Sequence, residues 1–203
     1  MSSPDTPRSE ILAHYPEVGA RAKAKELQKL DIHCKKFISL SPFCILSTAT
    51  PSAEPDLSPR GGLPGFVHVK DDNTLVLPDR PGNNRLDNLG NLAQNPQVAL
   101  LFMIPGVNET LRIRGTVKIV TDPDFCAEFT ERDTAPRSVL AITVTCAFLH
   151  CAKAFMRSEL WSADARIDRA ELPTMGQMLK DQMNSEGPNE TQSEMEARYR
   201  QSL

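Results

Sequence analysis

The sequence predicts an α+β chain, mainly β, built around an antiparallel barrel with peripheral helices. Three observations carry that expectation: short apolar runs of strand length recur, turn signals rather than long helices separate most of them, and one run alternates strictly between apolar and polar residues. With 203 residues the chain is long enough for one well-buried domain and short for two. Hydrophobic residues make up 40% and charged residues 24%, which is ordinary globular usage and excludes a disordered or fibrous chain. There are no internal repeats.

Residues 1–15 are polar and contain proline, and read as a mobile arm ahead of a single domain over 16–184. From Pro16 the pattern is helical: Leu27, Leu30, Cys34, Phe37 and Ile38 fall on one stripe, with Lys23, Lys25, Lys29 and Lys36 mostly elsewhere. Pro42 disfavours helical geometry at Ser41, so this helix should stop near Ser39, and FCILSTA follows as a strand. The stretch from Pro51 to Gly65 reads as a loop, in which the glycines after Arg60 permit close backbone approach to a ligand. Phe66–Lys70 and Thr74–Leu77 flank the turn-forming Asp71-Asp72-Asn73 and make a hairpin.

In DRPGNNRLDNLGNLAQNP, Asn83 or Asn84 can cap a helix with Leu86, Leu89 and Leu92 or Ala93 inward, and Pro96 marks its stop. Val98–Ile104 is continuously apolar, as expected for a central strand covered on both faces. Next, Leu111, Ile113, Val117 and Ile119 face one way and Thr110, Arg112, Arg114, Thr116 and Lys118 the other. Asp122-Pro123 opens a short helix, and Ile142, Val144, Cys146 and Phe148 alternate with Thr143 and Thr145 in a last long strand. Helical turns should follow His150, another helix should cover Met175–Met183, and residues 185–203 read as a polar, mobile tail.

The net charge of −3 and the scattered Lys and Arg residues argue against nucleic acid as a partner. No apolar stretch approaches the roughly 18 residues of a membrane span and no signal-peptide pattern opens the chain, so a soluble, cytoplasmic protein is expected, without a membrane partner. Five cysteines without a CxxC pair fit reduced thiols, and His33-Cys34 and His150-Cys151 lack zinc-ligand spacing. The clearest chemistry is for an anion. A helix start at Gly82-Asn83-Asn84-Arg85 offers backbone N–H groups and a favourable dipole, and Arg60 and Arg85 can add charge-assisted hydrogen bonds to phosphate oxygens. Plainer readings stand beside these. Arg60 suits a surface loop, Asn83 and Asn84 suit capping alone, Arg112 and Arg114 suit a solvated strand face, and Cys151 suits either a buried inert thiol or a reactive one beside Lys153 and Arg157. His68 and His150 suit packing or surface positions.

Four segments together resemble the pyridoxamine 5'-phosphate oxidase-related FMN-binding split-barrel family: the helix before FCILSTAT, the SPRGGLPGFVHV region, the LVLPDRPGNNRLDNLGNLAQNPQVALLF block and LRIRGTVKIV. The similarity covers roughly Leu27 to Trp161. It implies an antiparallel split β-barrel, FMN as cofactor, an FMN-dependent oxidoreductase acting on an unidentified small molecule, and a homodimer with FMN at the subunit interface. It further implies flavin-phosphate contacts at Arg60, Asn83, Asn84 and Arg85, a cofactor contact at Gly61, backbone contacts to the ring at Leu77 and Pro78, and another contact near Thr110. Authentic vitamin B6 oxidases end in a Trp and Arg/His motif that Trp161, Arg166 and Arg169 match only loosely. The segment from His150 to Trp161 instead looks like a subgroup in which Cys151, Lys153 and Arg157 follow the last strand. In a helix there, Lys153 and Arg157 lie four apart and can face an anion or the flavin, and Trp161 suits either a flavin cover or a barrel cap. Related split barrels also include non-catalytic flavin- or haem-binding modules and deazaflavin-dependent reductases, which stand as alternatives.

Overall fold

The computed structural model describes residues 8–187 and 190–201. Seven strands form it: β1 (Phe43–Ala49), β2 (Pro55–Gly61), β3 (His68–Val69), β4 (Thr74–Pro78), β5 (Gln97–Met103), β6 (Thr110–Val120) and β7 (Val139–His150). They make one antiparallel sheet in the order β2-β1-β5-β6-β7-β4-β3, whose edges β2 and β3 are not paired with each other. The sheet is therefore an open, split barrel. Around it lie α1 (Arg8–Ala13), α2 (Ala20–Ala24), α3 (Ile32–Leu40), α4 (Asp87–Gln94), α5 (Pro123–Ala127), α6 (Lys153–Ser158), α7 (Met175–Met183) and α8 (Gln192–Arg200). None of the described helices is long and apolar enough to cross a membrane. The core joins Leu75, Leu77, Phe102, Leu111, Ile113 and Ile142 from the sheet to Leu30, Cys34 and Ile38 beneath α3 and Leu92 of α4. All five cysteines are free thiols.

The single helix expected from Pro16 is two. Between α2 and α3 the chain is extended: the Leu27 N–H donates to the Ala147 carbonyl at 2.9 Å, and the Ala147 N–H returns the bond at 2.8 Å. The free edge of β7 thus takes Leu27 as a ladder partner, and Asp31, accepting from the Cys34 N–H at 2.7 Å, starts α3 afresh. The segment read as a loop after Pro51 contains β2, which pairs along the whole of β1. Pro55 and Pro59 misled because proline is tolerated on an edge strand, where the missing N–H faces no neighbour. Residues 1–7 of the expected arm lie outside the described residues. Arg8–Ala13 is helical, as is Gln192–Arg200 within the tail, where Thr191 and Glu194 form a reciprocal capping box.

Two further differences bear on function. The continuous apolar run of β5 is not covered on both sides within one chain. Val98, Leu100 and Phe102 enter the core, while Ala99, Leu101 and Met103 are only half-buried on the outer face beside Phe43 and Ile45 of β1. In β7, the expected single face of Ile142, Val144, Cys146 and Phe148 is interrupted by an irregularity opposite Arg114 and Gly115. Beyond it the phase shifts, so that Ala147 joins the core while Cys146 and Phe148 lie opposite Arg114 and Arg112 on the outer face. Gly115 makes that bulge feasible, because a Cβ there would stand 2.2 Å from the Thr143 carbonyl oxygen. Gly115→Ala is expected to lower stability by about 2 kcal/mol through forced backbone displacement. A denaturant midpoint equal to that of the unmodified protein would contradict the close approach.

Candidate functional site

β2 carries Asp56, Ser58 and Arg60 at alternate positions, opposite Thr48, Leu46 and Cys44 of β1, so these side chains share the side on which α4 packs. Asn88 of α4 is buried among them and joins three partners: it accepts from Arg60 Nη2 at 3.2 Å and donates to Thr48 Oγ1 at 2.9 Å and to Asp56 Oδ2 at 2.7 Å. Asn91 also donates to Thr48 Oγ1, at 3.1 Å. Arg60 is further fixed by donating to Ser58 Oγ at 2.8 Å. Its half-buried guanidinium is thereby held against the first turn of α4.

The helix start differs from the expected one. α4 begins at Asp87 with Leu86 as its N-cap, and no side chain caps it. Neither Asn83 nor Asn84 reaches the helix: Asn83 Oδ1 accepts from the Arg85 N–H at 3.0 Å, and Asn84 takes φ +60°. That local turn competes with capping, as Asn side chains commonly do. Of the expected inner residues, Leu92 is buried and Leu89 half-buried, whereas Leu86 and Ala93 are exposed. Arg85 pairs with Asp87 at 2.8 Å on the surface. An exposed pair of this kind contributes about 0–1 kcal/mol, so an anion could displace Asp87 at little cost.

The Leu77 and Pro78 side chains are buried in the protomer, which leaves only their backbone for a ligand. That backbone lacks a strand partner on one edge, since β3 ends opposite Val76 and does not extend along Leu77 and Pro78. Gly61 ends β2 in the exposed part of the strand, where an added Cβ would make only ordinary contacts, Pro42 O at 3.5 Å and the Phe43 ring at 3.8 Å. Asp79, immediately after β4, is half-buried. Burial raises its carboxyl above the ordinary 3.8, with the Arg60 charge opposing. Its ionised form thus costs stability above the folded-state pKa, and this cost vanishes below 3.8. Asp79→Asn is expected to melt higher than the parent near pH 7, the gain fading as pH falls towards 4. A variant less stable at pH 7 would show that the carboxylate is stabilising.

A second group stands elsewhere. Thr110 is buried opposite His150, and α6 follows directly with Lys153 and Arg157 exposed, Arg157 Nε donating to the Lys153 carbonyl at 3.1 Å. Cys151 is exposed rather than buried, because β7 ends one residue before it. Trp161 stacks on Phe155 with ring centres 5.5 Å apart and donates to the Val107 carbonyl at 2.9 Å, fastening this segment to the β5–β6 turn. Pro78 pairs with Val139 and Thr110 with His150, so the two sit at opposite ends of β7, about 33 Å of strand apart. Among the described residues no hydrogen bond or ion pair connects the Arg60 group to the Thr110 group.

The sequence reading missed Asn88 and Asp79. The signal for Asn88 was a polar side chain inside an apolar helical stripe, three before Asn91 and four before Leu92.

A sequence model of the pyridoxamine 5'-phosphate oxidase family matches residues 30–151. The chain belongs to this family. The match runs from two residues before α3 to the residue after β7, so it contains the whole sheet. No functionally curated protein gives a significant sequence match. Solved structures with a similar chain path include HupZ of Group A Streptococcus, at 19% identity over 59% of this chain and 93% of that one, TM-score 0.48. A pyridoxinephosphate oxidase-family protein of Clostridium acetobutylicum matches at 14% over 59% and 86%, TM-score 0.46. An FMN-binding protein of Syntrophomonas wolfei matches at 10% over 56% and 78%, TM-score 0.43.

Proposed function

We propose that this family member binds FMN between two copies of the chain and serves as an FMN-dependent oxidoreductase for a small molecule. The observation that carries the proposal is the Arg60 guanidinium, anchored by Ser58 and Asn88 against a helix start that no side chain caps. Unsatisfied N–H groups, the positive end of the helix dipole and a fixed cation are what a phosphate monoester requires. The residues fit that group: Arg60 and the first turn of α4 would hold the phosphate, Arg85 would exchange Asp87 for it, and Leu77, Pro78 and Gly61 offer backbone edges to the planar ring. When bound, the flavin supplies two-electron redox chemistry, and the protein's part is to position it and set its electrostatics.

The distance between the two groups supports a shared site. Thr110, Lys153 and Arg157 would come from the second copy, where the two cations favour an anionic reduced ring. The outer face of β1 and β5, with Phe43, Ile45, Leu101 and Met103 half-buried and Leu57 exposed on β2, gives that copy an apolar surface to cover. Protein purified under native conditions should be yellow, release FMN on denaturation, and bleach with a nicotinamide donor. Colourless protein that takes up no added FMN would refute the proposal.

A further inference from the structure

The Phe148 ring of β7 has two cations close to it, drawn from different elements, and the charges of both are felt at His150. Lys25, after α2, places its Nζ 5.2 Å from the ring centre, and Arg112 of β6 places its guanidinium carbon at 5.2 Å. Among the described residues neither cation has a carboxylate partner, whereas the neighbouring Arg114 pairs with Glu26 at 3.4 Å. His150 stands beside the same ring at 6.4 Å, and its Nδ1 is buried with no hydrogen-bond partner, the one such side-chain atom among the described residues. Two cations over one ring repel each other, and a buried imidazole nitrogen without a hydrogen-bond partner is destabilising. Both costs disappear if one oxyanion takes the Lys25 and Arg112 charges and meets the imidazole. Burial first, then the Arg112 and Lys25 charges, hold His150 below its ordinary 6.5, which keeps the ring neutral with one donor and one acceptor nitrogen at neutral pH.

The geometry points to an oxyanion site at Lys25, Arg112 and His150 that receives the phosphate or carboxylate of the substrate. Thr110 pairs with His150 across the strands, so the site adjoins the residue proposed to meet the flavin from the second copy. As a substrate site it rests on the flavin proposal and makes the substrate class a small organic acid or phosphate ester; as an anion site it stands without it.

The test titrates inorganic phosphate into the full-length protein at constant ionic strength, with and without FMN, and follows the His150 ring resonances by NMR, assigned with His150→Gln. A saturable shift is expected at His150, with affinity reduced at least tenfold in Lys25→Gln and in Arg112→Gln while FMN affinity stays the same in both. No saturable shift, or equal shifts in the variants, would overturn the site. A His150 shift that saturating FMN abolishes would assign the cluster to the flavin's own phosphate and overturn the substrate role. A shift that persists in protein unable to take FMN would refute the flavin proposal and leave the anion site standing. To separate sources, the FMN-loaded protein is then titrated with acetate: a shift at the same residues extends the site to carboxylates, and none restricts it to phosphate esters.

Discussion

Replacing Arg60 with alanine is expected to weaken FMN binding by about 2–3 kcal/mol, roughly 30- to 150-fold, the scale of hydrogen bonds to a charged group. The size follows from how the guanidinium is held. Ser58 and Asn88 fix its orientation before any ligand arrives, so little side-chain entropy opposes phosphate binding. Arg60→Lys should recover part of the loss, restoring charge without the planar two-nitrogen fork. Because Asn88 Oδ1 would lose a donor, thermal melting of the variant must accompany the titration, which flavin fluorescence quenching reads directly. Equal FMN affinity in Arg60→Ala and the parent would remove the phosphate site from β2.

Leu101→Glu is expected to have an effect at least as large, through assembly rather than direct contact. Leu101 lies on the outward face of β5, so one protomer folds around it in either form. Across an interface between copies, however, the carboxylate would be desolvated without a partner, at a cost of several kcal/mol. Sedimentation should show a dimer for the parent and a monomer for the variant, with unchanged far-UV circular dichroism. FMN binding should fall with the dimer, since Thr110, Lys153 and Arg157 would then belong to another molecule. A monomeric variant with full FMN affinity would place the whole site within one chain, and a variant that stays dimeric would move the interface elsewhere.

Strands whose evidence was local were legible in the sequence. The alternation at Leu111 and Ile113, the strand at Val98 though not its covering on both faces, the Asp122-Pro123 helix start and the Met175–Met183 helix are all present. What periodicity could not reveal was set by partners distant in sequence. Leu27 fits a helical stripe, yet the unpaired edge of β7 at Ala147 draws it into an extended segment. Pro55 and Pro59 argue against a strand unless that strand is known to be an edge. The shift that turns Phe148 outward depends on Gly115 meeting Thr143, a contact invisible from either residue alone. The site follows the same division. Arg60 and the region of the α4 start could be picked out by residue type, but the capping by Asn83 or Asn84 fails because an Asn turn three residues earlier satisfies its own backbone. Asn88 stands out in the sequence only as a polar residue on an apolar stripe; its bonds to Arg60, Thr48 and Asp56 arise from partners far apart in sequence, brought together by β1, β2 and α4.

Native mass spectrometry of protein purified without added cofactor tests the central claim most directly, because it reads assembly and ligand in one spectrum. The account predicts a dimer carrying two FMN molecules, losing both together when Leu101→Glu separates the chains. A monomer that retains FMN, or a dimer that takes up none even after FMN is supplied, would contradict it.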